Sequence, residues 1–120
     1  MANILIADDS DAIRLVLKDI LSIGEHEVVG EAVDGDEAVD MFRNLNPDLM
    51  LLDLAMPKKD GLTVVNEVID FNPNAKIILI TASDDQKVIS QCLEKGASDY
   101  ISKPFDFNNV LKSITTLLGK

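Results

Sequence analysis

Cysteine, histidine and basic charge are all scarce in this chain, and each shortage excludes something. The one cysteine, Cys92, rules out an internal disulfide and fits a reducing compartment. It falls mid-helix among Val88, Ile89 and Leu93, where a thiol packs as a small apolar group. The one histidine, His26, opens an apolar run far from the polar strand ends, so a kinase-type phosphohistidine relay is excluded. Lysine and arginine number 11 against 21 acids, a net charge of -10, which disfavours nucleic-acid backbones and anionic membranes. No apolar run is long enough to span a bilayer, and Met-Ala-Asn-Ile-Leu-Ile carries no basic leader segment. A cytoplasmic protein is expected. At 120 residues it reads as one domain with a real core, and with nothing after Lys120 no output domain is expected.

Strand-like apolar runs recur at 3–7, 27–32, 49–53, 76–81 and 99–102. Helical spacing fills the gaps. Residues 11–23 put Ile13, Val16, Leu17, Ile20 and Leu21 on one face before Gly24, and 36–45 put Ala38, Val39, Phe42 and Leu45 on another. Residues 61–71 carry Leu62, Val65, Val68 and Ile69, and a last helix over 106–118 carries Val110, Leu111, Ile114 and Leu117. Ser83 with Gln86 reads as a capping box opening a helix that ends at Gly96. Five strands alternating with five helices predict an α/β fold around one mostly parallel sheet.

Two of the strand-like runs end abruptly in carboxylates: Asp8 and Asp9 after Asn-Ile-Leu-Ile-Ala, and Asp53 after Leu-Met-Leu-Leu. A parallel sheet gathers strand carboxyl ends on one rim, so these acids would share a pocket and repel one another. A hard divalent cation with oxygen ligands, Mg2+ in the usual case, relieves that repulsion. The fourth run ends in Thr81 and the fifth in Lys103-Pro104. A carboxylate nucleophile, a cation, a hydroxyl and a fixed ammonium together meet the needs of in-line phosphoryl transfer. Singly they are bland: a lone Asp-Asp pair is an ordinary helix cap, Thr81 a strand-end hydroxyl and Lys103 a solvated lysine.

As a set, Asp8-Asp9, Asp53 with Met56-Pro57 and Gly61, Thr81-Ala82 and Lys103-Pro104-Phe105 resemble the receiver domain of two-component response regulators, over the whole chain. The stand-alone chemotaxis regulators are the most similar members. The resemblance implies a flavodoxin-like, doubly wound parallel sheet of strand order 2-1-3-4-5 flanked by five helices. It implies that Asp53 accepts phosphate from a chemotaxis-type sensor histidine kinase. Mg2+ would be held by Asp9, Asp53 and the backbone carbonyl of Ala55, with Asp8 acting through water. Lys103 would pair with Asp53 and then with the phosphoryl group, and Thr81 would bond a phosphoryl oxygen. Tyr100 would be the switch aromatic, and the Lys103–Pro104 bond would be cis. The chain would act as a monomer, catalysing only its own phosphorylation and dephosphorylation, with a phosphatase as a further partner. A motor or adaptor protein would read the fourth helix, fifth strand and fifth helix around Ile89, Tyr100 and Ile101. Bacterial relatives of the best-known type carry lysines on that face. Here Gln86, Ser113 and Thr116 stand in those places and the fourth helix opens with Asp84-Asp85, so a neutral or basic partner is expected, such as an archaeal motility adaptor.

Other functions fit less well. A phosphohydrolase of the haloacid dehalogenase kind needs an acid two residues after the nucleophile, where this chain has Ala55. A flavin or nucleotide site wants a glycine- or hydroxyl-rich first loop, whereas Asp8-Asp9-Ser10-Asp11 repels phosphate. A phosphorelay intermediate that passes phosphate to a histidine phosphotransfer protein stays open as the alternative to a motility switch.

Overall fold

The computed structural model describes residues 1–82 and 85–119. Strands β1 (Asn3–Ala7), β2 (Glu27–Ala32), β3 (Leu49–Leu52), β4 (Ile77–Thr81) and β5 (Asp99–Ser102) alternate with five helices. These are α1 (Asp11–Ile23), α2 (Gly35–Leu45), α3 (Gly61–Phe71), α4 (Gln86–Lys95) and α5 (Phe107–Leu118). Every strand pairing is parallel, and the order is β2-β1-β3-β4-β5, as the resemblance implied. No helix among the described residues is long and apolar enough to cross a membrane.

The central strands are apolar at nearly every position because both faces of a parallel sheet are covered. Alternation divides their side chains between two cores. Leu5, Met50, Leu52, Ile77 and Leu79 point toward α2, α3 and α4, where they meet Phe42, Val65, Val68, Ile89 and Cys92. Ile4, Ile6, Leu49, Leu51, Ile78 and Ile80 point the other way, onto Leu17, Leu21, Val110 and Ile114 of α1 and α5. The edge strands are shorter of apolar residues: β2 is half-buried along most of its length, and Asp99 and Ser102 of β5 are exposed.

All five helices begin on a side-chain cap. Ser10, Asp34, Asp60, Asp85 and Asp106 each accept the backbone N–H three residues on. Such a cap stabilises a helix by about 1 kcal/mol, and an acid also complements the N-terminal dipole. These caps move several boundaries. Helix α2 opens at Gly35 rather than 36, and α5 at Phe107 rather than 106. Helix α4 is capped by Asp85, one turn's fraction later than the Ser83 capping box predicted; Ser83 and Asp84 lie outside the described residues. β3 stops at Leu52, leaving Asp53 beyond the strand, and β4 starts at Ile77.

The helical faces were rotated slightly from expectation. Val16 and Leu45 are exposed, and Val64 joins the core beside Val65. Ile89 and Ile101 are 2% and 8% exposed, so both side chains belong mainly to the cores, and of the two Ile101 also lines the cavity beside Tyr100. Ile89 packs under α4 into one core and Ile101 into the other. His26 sits at the opposite end of the sheet from the acids, where its Nδ1 accepts the Ala2 N–H at 3.1 Å.

Candidate functional site

Asp8 and Asp53 each stand one residue past the end of a central strand. Their backbones continue the ladder for one more bond: Asp8 N–H donates to Ala32 O at 3.0 Å, and Asp53 N–H to Ala7 O at 2.8 Å. That extension fixes two carboxylates on neighbouring strands at one rim of the sheet. Asp8, Asp9 and Asp53 each place a carboxylate oxygen within 4.8 Å of the others. Asp8 and Asp53 are buried and Asp9 is exposed, so the cluster opens to solvent on one side.

Lys103 reaches this cluster from the end of β5. Its N–H donates to Thr81 O at 2.8 Å, which anchors it beside the end of β4, and the Lys103–Pro104 bond is cis. Its Nζ donates to Asp8 Oδ2 at 2.9 Å and lies 3.7 Å from Asp53 Oδ2. The ammonium is therefore shared between the two buried acids and sits closer to Asp8, where the resemblance had paired it with Asp53. One cation among three carboxylates settles between the pair that water solvates least.

Asp53 also accepts the Ala55 N–H at 3.2 Å. Burial raises its carboxyl above the usual range; the Ala55 N–H and Lys103 oppose that shift, and Asp8 and Asp9 add to it. Three hard oxygen donors carrying excess negative charge, converging with an open side, fit a small divalent cation.

The loop from Leu54 to Asp60 is held down by close approach. At Gly61 a Cβ would lie 2.8 Å from Leu54 Cα, and at Gly35 a Cβ would lie 2.5 Å from Lys59 O, so both contacts require glycine. Gly35 N–H donates to Pro57 O at 3.1 Å. Lys58 pairs with Asp34 at 3.4 Å, and Lys59 pairs with Glu67 at 2.9 Å and Asp36 at 3.6 Å. These ties between α2, α3 and the loop were not foreseen, since Lys58 and Lys59 carry no local signal beyond their charge.

Arg14 is the other residue that sequence reading passed over. It is buried on α1 and its Nη1 donates to the Asp8 carbonyl at 2.6 Å. An arginine three residues after Asp11 was the available sign, but that spacing reads as an ordinary surface pair.

Thr81 is fully buried at the end of β4. Tyr100 is half-buried on β5, packed against the core that holds Ile89 and Cys92. The strand register sets Thr81 opposite Ser102 and Leu79 opposite Tyr100, so the two lie on adjacent strands one pleat apart. Tyr100 lines a cavity of about 440 Å³ between β5 and α5, with Asp99, Lys112, Ser113 and Thr116 around it. Ser113 Oγ donates to Asp99 Oδ2 at 2.6 Å, so this face mixes one acid, one base and neutral hydroxyls.

Comparison with known proteins agrees with this layout. The response regulator receiver domain family matches residues 4–115. The chemotaxis protein CheY of Thermotoga maritima is 38% identical over 112 residues, covering 93% of both chains. The CcdB protein of Bacillus subtilis is 35% identical over 119 residues, covering 99% of both. Among solved structures, a CheX–CheY–BeF3–Mg2+ complex from Borrelia burgdorferi superposes with a TM-score of 0.93 at 36% identity, covering 98% of this chain and 90% of that one. With three carboxylates and a lysine at the strand ends of a 2-1-3-4-5 sheet, and with these matches along nearly all its length, the chain belongs to the response regulator receiver domain family.

Proposed function

We propose that the chain is a phosphorylation-controlled switch in which Asp53 takes a phosphoryl group from a sensor histidine kinase and a motility partner reads the result. The observation that carries this reading is the shared ammonium: Lys103 Nζ spans Asp8 and Asp53 beside a cluster with room for a cation. Asp9, Asp53 and the Ala55 carbonyl would hold Mg2+, with Asp8 contributing through water. When bound, that ion supplies positive charge to the oxygens of the transferring group.

The residues of the chain do the rest. A carboxylate oxygen of Asp53 attacks phosphorus, the bond to the donor imidazole nitrogen breaks, and the imidazole leaves with that electron pair. Lys103 needs only a small shift from Asp8 to meet the new anion, because it already lies 3.7 Å from Asp53. Thr81 bonds a phosphoryl oxygen through its hydroxyl, and the change at the end of β4 passes to Tyr100 on β5. The switch operates by differential contact with two pre-existing states. The face formed by α4, β5 and α5 presents the output, through Tyr100, Lys112 and the hydroxyls around their cavity. Similarity to CheY proteins supports chemotaxis as the setting.

Incubation with acetyl phosphate, followed by intact-mass measurement, tests the proposal. One phosphoryl adduct is expected with Mg2+, none in EDTA and none in Asp53→Asn. An adduct that persists in either control refutes it.

A further inference from the structure

We propose that Arg14 is a positioning residue for the acidic cluster: it fixes the Asp8–Asp9 peptide and thereby sets the affinity of the cluster for a divalent cation. The inference rests on reading Asp8, Asp9 and Asp53 as a cation site.

Burying a guanidinium is unfavourable unless its N–H groups find acceptors. Arg14, 8% exposed, sends its three nitrogens to three different elements. Nη1 donates to the Asp8 carbonyl just past β1, Nε to Glu31 Oε1 on β2 at 3.1 Å, and Nη2 to Asp11 Oδ1 at the start of α1. Lys18 pairs with the other oxygen of Glu31 at 3.2 Å, which steadies that arm. The side chain is thus a strut joining a strand end, an edge strand and the first turn of a helix.

Its contact at the site is with main chain, and that decides the role. Asp8 has a partner at each polar atom. Its N–H donates to Ala32 O, Oδ1 accepts the Ser10 N–H at 2.8 Å, Oδ2 accepts Lys103, and the carbonyl accepts Arg14. That carbonyl belongs to the peptide joining Asp8 to Asp9. Its plane sets where the Asp9 side chain departs, and Asp9 is the exposed member of the cluster. Orientation rather than charge is the contribution, because Asp11 and Glu31 already pair with the guanidinium. A lysine would keep the charge but could not reach three acceptors in one plane.

The test is the Mg2+ dissociation constant of the full chain, measured by calorimetric titration without phosphate donors. Wild type is compared with Arg14→Gln, Arg14→Lys and Glu31→Gln, and melting in EDTA is recorded alongside. Partners that orient metal ligands typically alter affinity by about 10–100-fold, so both Arg14 variants should weaken Mg2+ binding by about tenfold or more. Glu31→Gln loosens the strut without removing it and should weaken binding less. A role confined to stability would lower the melting temperature and leave the constant of both Arg14 variants within about twofold of wild type, which would overturn the inference. If Arg14→Gln does not fold, Arg14→Lys decides: a constant raised about tenfold supports the strut, and an unchanged one overturns it. Wild type that binds no Mg2+ would refute the cation reading, and the inference with it. Wild type that binds alongside unaffected variants would overturn the inference alone.

Discussion

Replacing Asp53 by Asn should stabilise the protein when no divalent cation is present. Asparagine keeps an oxygen for the Ala55 N–H and removes one charge from a pocket that holds three acids and one ammonium. At an effective dielectric constant of about 20, each repulsion from Asp8 and Asp9, whose oxygens lie within 4.8 Å, is about 3.5 kcal/mol at that outer limit. Attraction to Lys103 across 3.7 Å returns about 4.5 kcal/mol on the same scale. The remainder disfavours the charged form by about 2.5 kcal/mol, and solvent at the open side reduces that to about 1–2 kcal/mol. With an unfolding entropy of about 2.1 cal/mol/K per residue, the gain is about 4–8 °C in Tm.

The pH dependence gives a second check. Burial raises the folded carboxyl above its ordinary value of 3.8, so the folded state binds this proton more tightly than the unfolded chain. Asp53 therefore destabilises the apo protein fully at pH above its raised value. That penalty fades as pH falls and disappears below the ordinary carboxylate range. Calorimetric melts in EDTA at low ionic strength should show Asp53→Asn above wild type at pH 7, with the gap closing toward pH 4. A variant that melts at or below wild type at pH 7 would refute the crowded-charge argument.

Three other outcomes follow from the same geometry. Millimolar Mg2+ should raise the wild-type Tm by mass action; Asp9→Ala should lose most of that shift and Asp8→Ala less, and a wild-type melt indifferent to Mg2+ would show the cluster is not a cation site. Beryllofluoride should move the NMR signals of Tyr100, the only tyrosine, and Thr81→Ala should reduce that response; equal responses in the two proteins would place the coupling elsewhere. Burial pushes the Cys92 thiol up to about 11, so a thiol reagent at pH 8 should leave the native protein unlabelled and modify it once unfolded; rapid labelling of the native state would contradict the buried placement.

The architecture was legible because a parallel sheet covered on both faces turns its central strands into bare apolar runs. Such runs ending in Asp8, Asp53 and Thr81 pointed to one rim, and the sheet brings Asp8, Asp9, Asp53 and Lys103 together there. What escaped the sequence depends on distance along the chain or on small rotations. Val16 and Val64 exchange inside and outside through a shift of about one position on their helical wheels, which periodicity alone does not resolve. Arg14 looks like a surface residue until the fold carries Glu31 and the Asp8 carbonyl to it. The placement of Lys103 between Asp8 and Asp53 rather than on Asp9 depends on which carboxylates are buried, a tertiary property. Ile89 and Ile101 sit in the elements expected to meet a partner, yet the helical period of α4 turns Ile89 inward and the alternation of β5 turns Ile101 toward the other core.

Chemical identification of the phosphorylated residue tests the central claim most directly. An aspartyl phosphate is reduced by borohydride to homoserine, and tandem mass spectrometry then reads the position. After treatment with acetyl phosphate and Mg2+, homoserine should appear at position 53 and at no other acid. Homoserine at position 8 or 9, or phosphorylated protein with unmodified Asp53, would contradict the account.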